Sequence, residues 1–174
     1  MIQVSDDLRL RLFNSSDASD LFSLVDRNRS YLREWLPWLD FQKSAQDASD
    51  FIEGSIERWK KKVALVLAVV NRDSICGVVS FNTIDLQSGH AAIGYWVGEE
   101  SQGRGIVTQS ISALIDYGFE ELLLTKITIN CAENNKKSIA VAKRLGFSYL
   151  KREENKEWLY DHYVNHLVYQ ISKP

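Results

Sequence analysis

Apolar and basic residues alternate over residues 8–13 (LRLRLF), and a period of two predicts a strand with one face exposed. Asn14, Ser15 and Ser16 follow as helix caps. The pattern over residues 17–38 predicts helix in two pieces, disturbed at its end by Pro37. Ser44 with Asp47 has the spacing of a capping box and opens a second helix that runs to Lys62. Residues 63–70 (VALVLAVV) are apolar at every position, which predicts a central strand covered on both faces. The polar residues 71–74 turn the chain, and residues 75–84 return as the second arm of a hairpin. A polar loop at 85–89 leads to a third strand at 91–97. Helical spacing resumes over 109–123, with Ile111, Leu114, Ile115, Phe119 and Leu122 on one stripe. Residues 125–131 alternate again, with Ile127, Ile129 and Cys131 on one face. A short helix over 135–145 ends at Gly146, and the aromatic and β-branched residues beyond it predict two last strands. No repeat or linker divides the chain. The pattern describes one α/β domain over residues 1–174 with a mixed, mostly antiparallel sheet.

Composition narrows the classes. The chain has 174 residues, 45% of them hydrophobic and 25% charged, which suits one soluble domain with a real core. Its formal charge of -2 provides no general basic field for nucleic acid, so an anionic ligand needs a local device. Cys76 and Cys131 lie in apolar runs and read as buried thiols of a reducing compartment. With only His90, His162 and His166 beside them, a metal site is not expected. No stretch has membrane-spanning length, and the first residues lack the pattern of a signal peptide. These features predict a cytoplasmic protein.

The local device is the loop QGRGIV at residues 102–107, between a strand and a helix. Glycines let backbone N–H groups converge on one space. The helix that follows brings unpaired N–H groups and a positive dipole end, so an anion can bind there. Arg104 either adds an ionic contact or faces water. The loop is not a phosphate-binding Walker motif, since no Gly-Lys-Ser/Thr closes it, and it is not a dinucleotide fingerprint. On spacing alone, a tight connection remains the competing reading.

The same segment resembles motif A of the GNAT acetyltransferases, whose pattern is Gln/Arg-x-x-Gly-x-Gly/Ala. Gln102 and Gly105 match, and Val107 departs from the usual Gly or Ala. With IGYWVGEESQGRGI, the blocks VVSFNTID and CAENNKKSIAVAKRLGF extend the likeness over nearly the whole chain. They resemble the RimL/RimJ-type ribosomal-protein N-acetyltransferases. The resemblance implies a sheet with splayed strands flanked by helices, and acetyl-CoA as co-substrate. It implies that Gln102, Gly103, Arg104, Gly105, Ile106, Val107 and Thr108 hold the pyrophosphate. The backbone of Trp96 and Val97 would face the pantetheine arm, where one N–H polarising the thioester carbonyl is worth about 2.7–4 kcal/mol.

The Asn-x-x-Ser motif of that family falls on Asn135 and Ser138, which implies a pantetheine contact and an acid for the departing thiolate. Both residue types are also common helix caps, and that reading stands beside the functional one. The family's usual tyrosine acid is replaced by Ala142 and a frequent carboxylate by Ala92. Glu157 is implied as general base, against a second reading as a solvated residue in the charged run 151–157. His90 and Asn82 are further candidates. The aromatic cluster at 35–41, with Asp40, reads either as an acceptor groove or as core packing. The implied reaction is direct attack by an amine, without metal or covalent enzyme intermediate. The expected acceptor is the N-terminal α-amine of a ribosomal protein, as for a ribosomal-protein-serine acetyltransferase. A small amine, polyamine or antibiotic, or a non-catalytic acyl-CoA-binding role, are the alternatives. Exposed strand edges near the C-terminus would permit a homodimer.

Overall fold

The fully apolar run becomes β3 (Leu65–Asn71), whose first six residues are all buried. Its side chains divide by the period of two. Leu65, Leu67 and Val69 join one core, and Val66, Ala68 and Val70 the other. A strand needs this composition only when both its faces are covered by helices. In the computed structural model, which describes residues 1–173, β3 is the third strand of an eight-stranded sheet. The other strands are β1 (Ile2–Gln3), β2 (Leu8–Leu12), β4 (Ser74–Asp85), β5 (His90–Val97), β6 (Lys126–Ala132), β7 (Ser148–Leu159) and β8 (His162–Ser172). The order is β1-β2-β3-β4-β5-β6-β8-β7. Every described neighbour pair is antiparallel except β5 with β6.

The helices are α1 (Ala18–Arg27), α2 (Arg29–Arg33), α3 (Ala45–Lys60), α4 (Ile106–Glu120) and α5 (Lys136–Arg144). Leu21, Leu24, Val25 and Ile52 of α1 and α3 cover one face of the sheet. Ile111, Leu114 and Ile115 of α4 and Ala142 of α5 belong to the core on the other. The β3–β4 hairpin closes through Arg72 and Asp73, both with positive φ, as a two-residue turn matched to strand twist requires.

Several boundaries differ from those the sequence predicts. The helix expected in two pieces over 17–38 does divide, at Asn28, whose buried Nδ2 donates to the Leu24 carbonyl, but no helix continues past Arg33 into 34–38. Val63 is exposed and lies outside β3. The helix expected from 109 begins at Ile106, directly after the glycine loop. The two-residue β1 carries too little pattern to be read.

The feature that makes a site is the junction of β5 and β6. These strands pair in register at His90↔Lys126, Ala91↔Ile127, Ala92↔Thr128 and Ile93↔Ile129. Beyond Ile93, residues 94–97 pair only with β4, at Gly77 to Ser80, while Asn130 to Ala132 pair only with β8. The strands splay, and one backbone edge of 94–97 is left without a strand partner.

Candidate active site

The loop from β5 to α4 is bent by Gly103 and Gly105, with φ of +72 and +75. An alanine in that left-handed region costs about 1–2 kcal/mol. Gly105 is the N-cap of α4, which has no side-chain cap and no acidic residue in its first turn. By contrast, α3 and α5 are capped by Ser44 and Asn135. The first amides of α4 are therefore free for an external anion.

Two cations from α5 join them. Lys137 Nζ donates to Gln102 Oε1 at 3.0 Å, and Arg144 Nη1 donates to Thr108 Oγ1 at 3.1 Å. Gln102 Nε2 is buried without a partner, a donor that an oxygen-rich ligand would satisfy. The residues present thus fit a pyrophosphate. Arg104 is exposed and does not line the cavity. Val107 does line it, and packs partly against the core.

From this loop a cavity of about 1400 Å³ follows the free edge of residues 94–97 through the splay. Alternation along β5 gives it two sides. Tyr95 and Val97 belong to the core under α4 and α5, and Trp96 to the core under α1 and α3. Gly94 lies beneath the Asn82 side chain, whose Oδ1 accepts from Ser80 Oγ at 2.7 Å. Trp96 meets Trp38 with ring centroids 6.1 Å apart. Trp35, Leu36 and Pro37 also line this side, whereas Phe41 is exposed and Leu39 is buried in the core. Asp40 pairs with Arg33 at 3.0 Å and lies outside the cavity. His90, bonded to Thr128 Oγ1 at 3.0 Å, also lies outside it.

On the helix side, Ser138 holds a hydrogen-bonded chain. Its Oγ is 2.7 Å from the Tyr95 hydroxyl and donates to Cys131 Sγ at 3.2 Å. Asn135 Oδ1 accepts from the Ser138 backbone N–H at 3.0 Å, so Asn135 is a cap that also lines the cavity. Burial pushes the Tyr95 phenol well above its ordinary range, against the Ser138 hydrogen bond. Burial likewise raises the Cys131 thiol. Both stay protonated near neutrality, which makes Tyr95 a neutral donor rather than a base. The Tyr95 hydroxyl lies at the cavity beside Ser138. Ala142 is fully buried.

On the opposite side lies Glu157. The charged run sorts into separate contacts. Lys151 and Lys156 pull the Glu153 carboxyl down to about 2, and Arg152 pairs with Glu133 and Glu154. Glu157 Oε2 lies 3.4 Å from His166 Nε2. Both line the cavity. The partnership arises because the β7–β8 register slips between Glu153 and Glu157, which residue order does not reveal. A second cavity of about 670 Å³ adjoins, between α2 and the β7–β8 hairpin, lined by Arg33, Trp35, Glu133 and Asp161 among others.

Comparison with known proteins places this geometry. The family model for the acetyltransferase (GNAT) domain matches residues 7–148. The ribosomal-protein-serine acetyltransferase of Escherichia coli (strain K12) is 32% identical over 162 residues, which cover 93% of this chain and 90% of that protein. Among solved structures, the RimL ribosomal-protein α-N-acetyltransferase in complex with coenzyme A superposes with a TM-score of 0.95 at 30% identity, covering 98% of this chain and 97% of that one. The microcin C7 self-immunity acetyltransferase, in complex with acetyl-CoA and AMP, gives 0.94 at 33% identity, covering 98% and 94%.

Proposed function

The chain belongs to the GNAT family and is an N-acetyltransferase of the RimL type with acetyl-CoA as co-substrate; from this premise we propose that it acetylates the N-terminal α-amine of a ribosomal protein. The observation that carries the reading is the β5–β6 splay. It joins the anion cradle and Ser138 on one side of the sheet to Trp38, Trp96 and Glu157 on the other.

The loop amides of residues 103–108, Gln102, Lys137 and Arg144 hold the pyrophosphate. Bound acetyl-CoA supplies an acetyl thioester to the splay. The free backbone edge of residues 94–97 pairs with the extended pantetheine amides and fixes its depth. A backbone N–H of this edge would polarise the thioester carbonyl, where negative charge develops as the amine attacks. Ser138 Oγ, held by Tyr95, gives a proton to the departing sulfur, and the neutral phenol sustains it as donor. Glu157 takes the proton of the attacking amine. A peptide α-amine has an ordinary pKa of about 7.7–8.0, so a carboxylate acting directly or through one water suffices.

The aromatic wall of Trp35, Trp38 and Trp96 seats the first residues of the peptide, and the adjoining cavity by the β7–β8 hairpin receives the next ones. The reaction belongs to the cytoplasm, where ribosomal proteins and acetyl-CoA meet. The twelve-residue edge strand β7, largely exposed, is the surface for pairing with a second copy. A second reading, a small amine bearing a planar group, draws on the Trp38–Trp96 pair. Coenzyme A release decides between them. Peptides with a free N-terminus should turn over, and the same peptides blocked at the α-amine should not, even when they contain lysine. Turnover confined to small amines would leave only the second reading.

A further inference from the structure

Glu157 and His166 approach each other from two strands that are locally out of register. Three residues, 154–156, are looped out of the β7–β8 ladder between Glu153↔His166 and Glu157↔Val164. The loop is pinned. Asn155 has a positive φ, and its N–H donates to Asn165 Oδ1 at 2.9 Å. Asn165 Nδ2 in turn donates to Glu133 Oε2 at 2.9 Å. The bulge keeps Glu157 on the face shared by Glu153 and His166 and sets it opposite Val164, two positions from His166 along β8. His166 is registered between β6 and β7, opposite Ala132 and Glu153, and its side chain is only 12% exposed.

The ring is asymmetric. Nε2 stands 3.4 Å from Glu157 Oε2, while Nδ1 is buried with no partner. A proton placed on Nδ1 would be a buried, unpaired donor, at a cost of about 1–3 kcal/mol. A bare nitrogen there costs less, so the neutral ring carries its proton on Nε2 and presents it to the carboxylate. The nearby cations do not compete, because Lys151 and Lys156 both serve Glu153, and Arg152 serves Glu133 and Glu154. A lysine or arginine paired to Glu157 would hold its carboxylate ionised and blunt it as a base. The single imidazole N–H of His166 fixes its rotamer with neither a lysine nor an arginine beside it.

We infer that His166 is a positioning residue for Glu157, whose imidazole Nε2–H orients the carboxylate toward the amine of the acceptor. This rests on the proposed role of Glu157 as base. The analogous loss of an outer partner that orients a reactive group costs about 10- to 100-fold in activity.

Three variants and one spectrum test it. Glu157→Gln should abolish most turnover. His166→Ala should lower kcat about 10- to 100-fold with the KM for acetyl-CoA unchanged. His166→Gln, which restores an N–H near Nε2, should recover most of the rate. Nitrogen-15 NMR of the wild-type imidazoles, with His166 assigned from the Gln variant, should place the His166 proton on Nε2. Inactive E157Q beside fully active H166A would overturn the positioning role and leave the base standing. Active E157Q would overturn the base assignment and this inference with it. Should H166A fail to fold, the H166Q rate and the wild-type tautomer still decide. A proton on Nδ1 would overturn the inference.

Discussion

Gly77 sits on β4 opposite Val97 and does not line the cavity, yet Gly77→Ala should disable the enzyme. A Cβ added there would lie 2.4 Å from the Trp96 carbonyl oxygen, 2.6 Å from Val97 Cγ1 and 2.9 Å from Val97 Cα. Ordinary contact begins at 3.4 Å. The valine methyl can rotate away, but the two backbone atoms cannot, so the end of β5 must move by about 1 Å. Overpacking of this kind costs about 1–3 kcal/mol, within the roughly 5–15 kcal/mol that domains hold. The variant should therefore fold, with its melting temperature lowered by about 2–4 °C per kcal/mol lost. The same displacement shifts the backbone edge proposed to face the thioester. A misplacement near 1 Å costs about 100-fold in rate. Coenzyme A release and a thermal melt measure both effects on one sample. Gly54→Ala is the control, since nothing lies within 4 Å of its Cβ in the middle of α3. It should gain about 0.5–1 kcal/mol and keep its rate. A folded G77A protein with wild-type kcat would refute the assignment of residues 94–97 to the reacting carbonyl.

Three further outcomes follow from the same geometry. Tyr95→Phe removes the 2.7 Å bond to Ser138 Oγ, worth about 1–1.5 kcal/mol, and should lower kcat about tenfold without raising the KM for acetyl-CoA, as steady-state kinetics will show. Lys137→Ala and Arg144→Ala, which take cations from the loop, should instead raise that KM with little change in kcat. The wild-type KM should itself rise with salt, as screening of exposed charges requires. For Asp17, burial raises the carboxyl pKa, but Arg11 Nη1 and Nη2 at 2.6 and 2.9 Å and the Asn14 N–H outweigh it, so the net shift is downward. A lowered folded pKa gives stability that is present above the unfolded value, about 3.9, and fades as pH falls through the folded one. Urea titrations should show Asp17→Asn losing about 3 kcal/mol at neutral pH, the low end for a buried pair because Arg11 is partly exposed, and less in strong acid.

What the sequence revealed depended on how local each cause is. The alternation at 8–12, the apolar run of β3 and the stripe of α4 are set by neighbours within a few residues, and those elements form within about three residues of where their periods put them. The start of α4 escaped because its first turn carries no side-chain cap, the same lack that leaves its amides free for the proposed pyrophosphate. The break at Asn28 depends on a distant partner, since its Oδ1 accepts the Glu99 N–H at the entrance to the cofactor loop. Tyr95 alternates like any strand aromatic, and only the approach of α5 gives its hydroxyl to Ser138. His166 needed the slipped register of β7 and β8 to meet Glu157. Motif A and the Asn-x-x-Ser block pointed to the loop and to Ser138, while Arg104, inside the same motif, faces solvent.

The central claim, acetyl transfer to a ribosomal α-amine, is tested most directly by the acceptor itself. Ribosomal proteins that have never met the enzyme would be incubated with it and labelled acetyl-CoA, and the modified residue mapped by mass spectrometry. The account predicts label on the N-terminal α-amine of one ribosomal protein, lost with Glu157→Gln. Label confined to lysine side chains, or to added polyamines or antibiotics while every ribosomal N-terminus stays free, would contradict it.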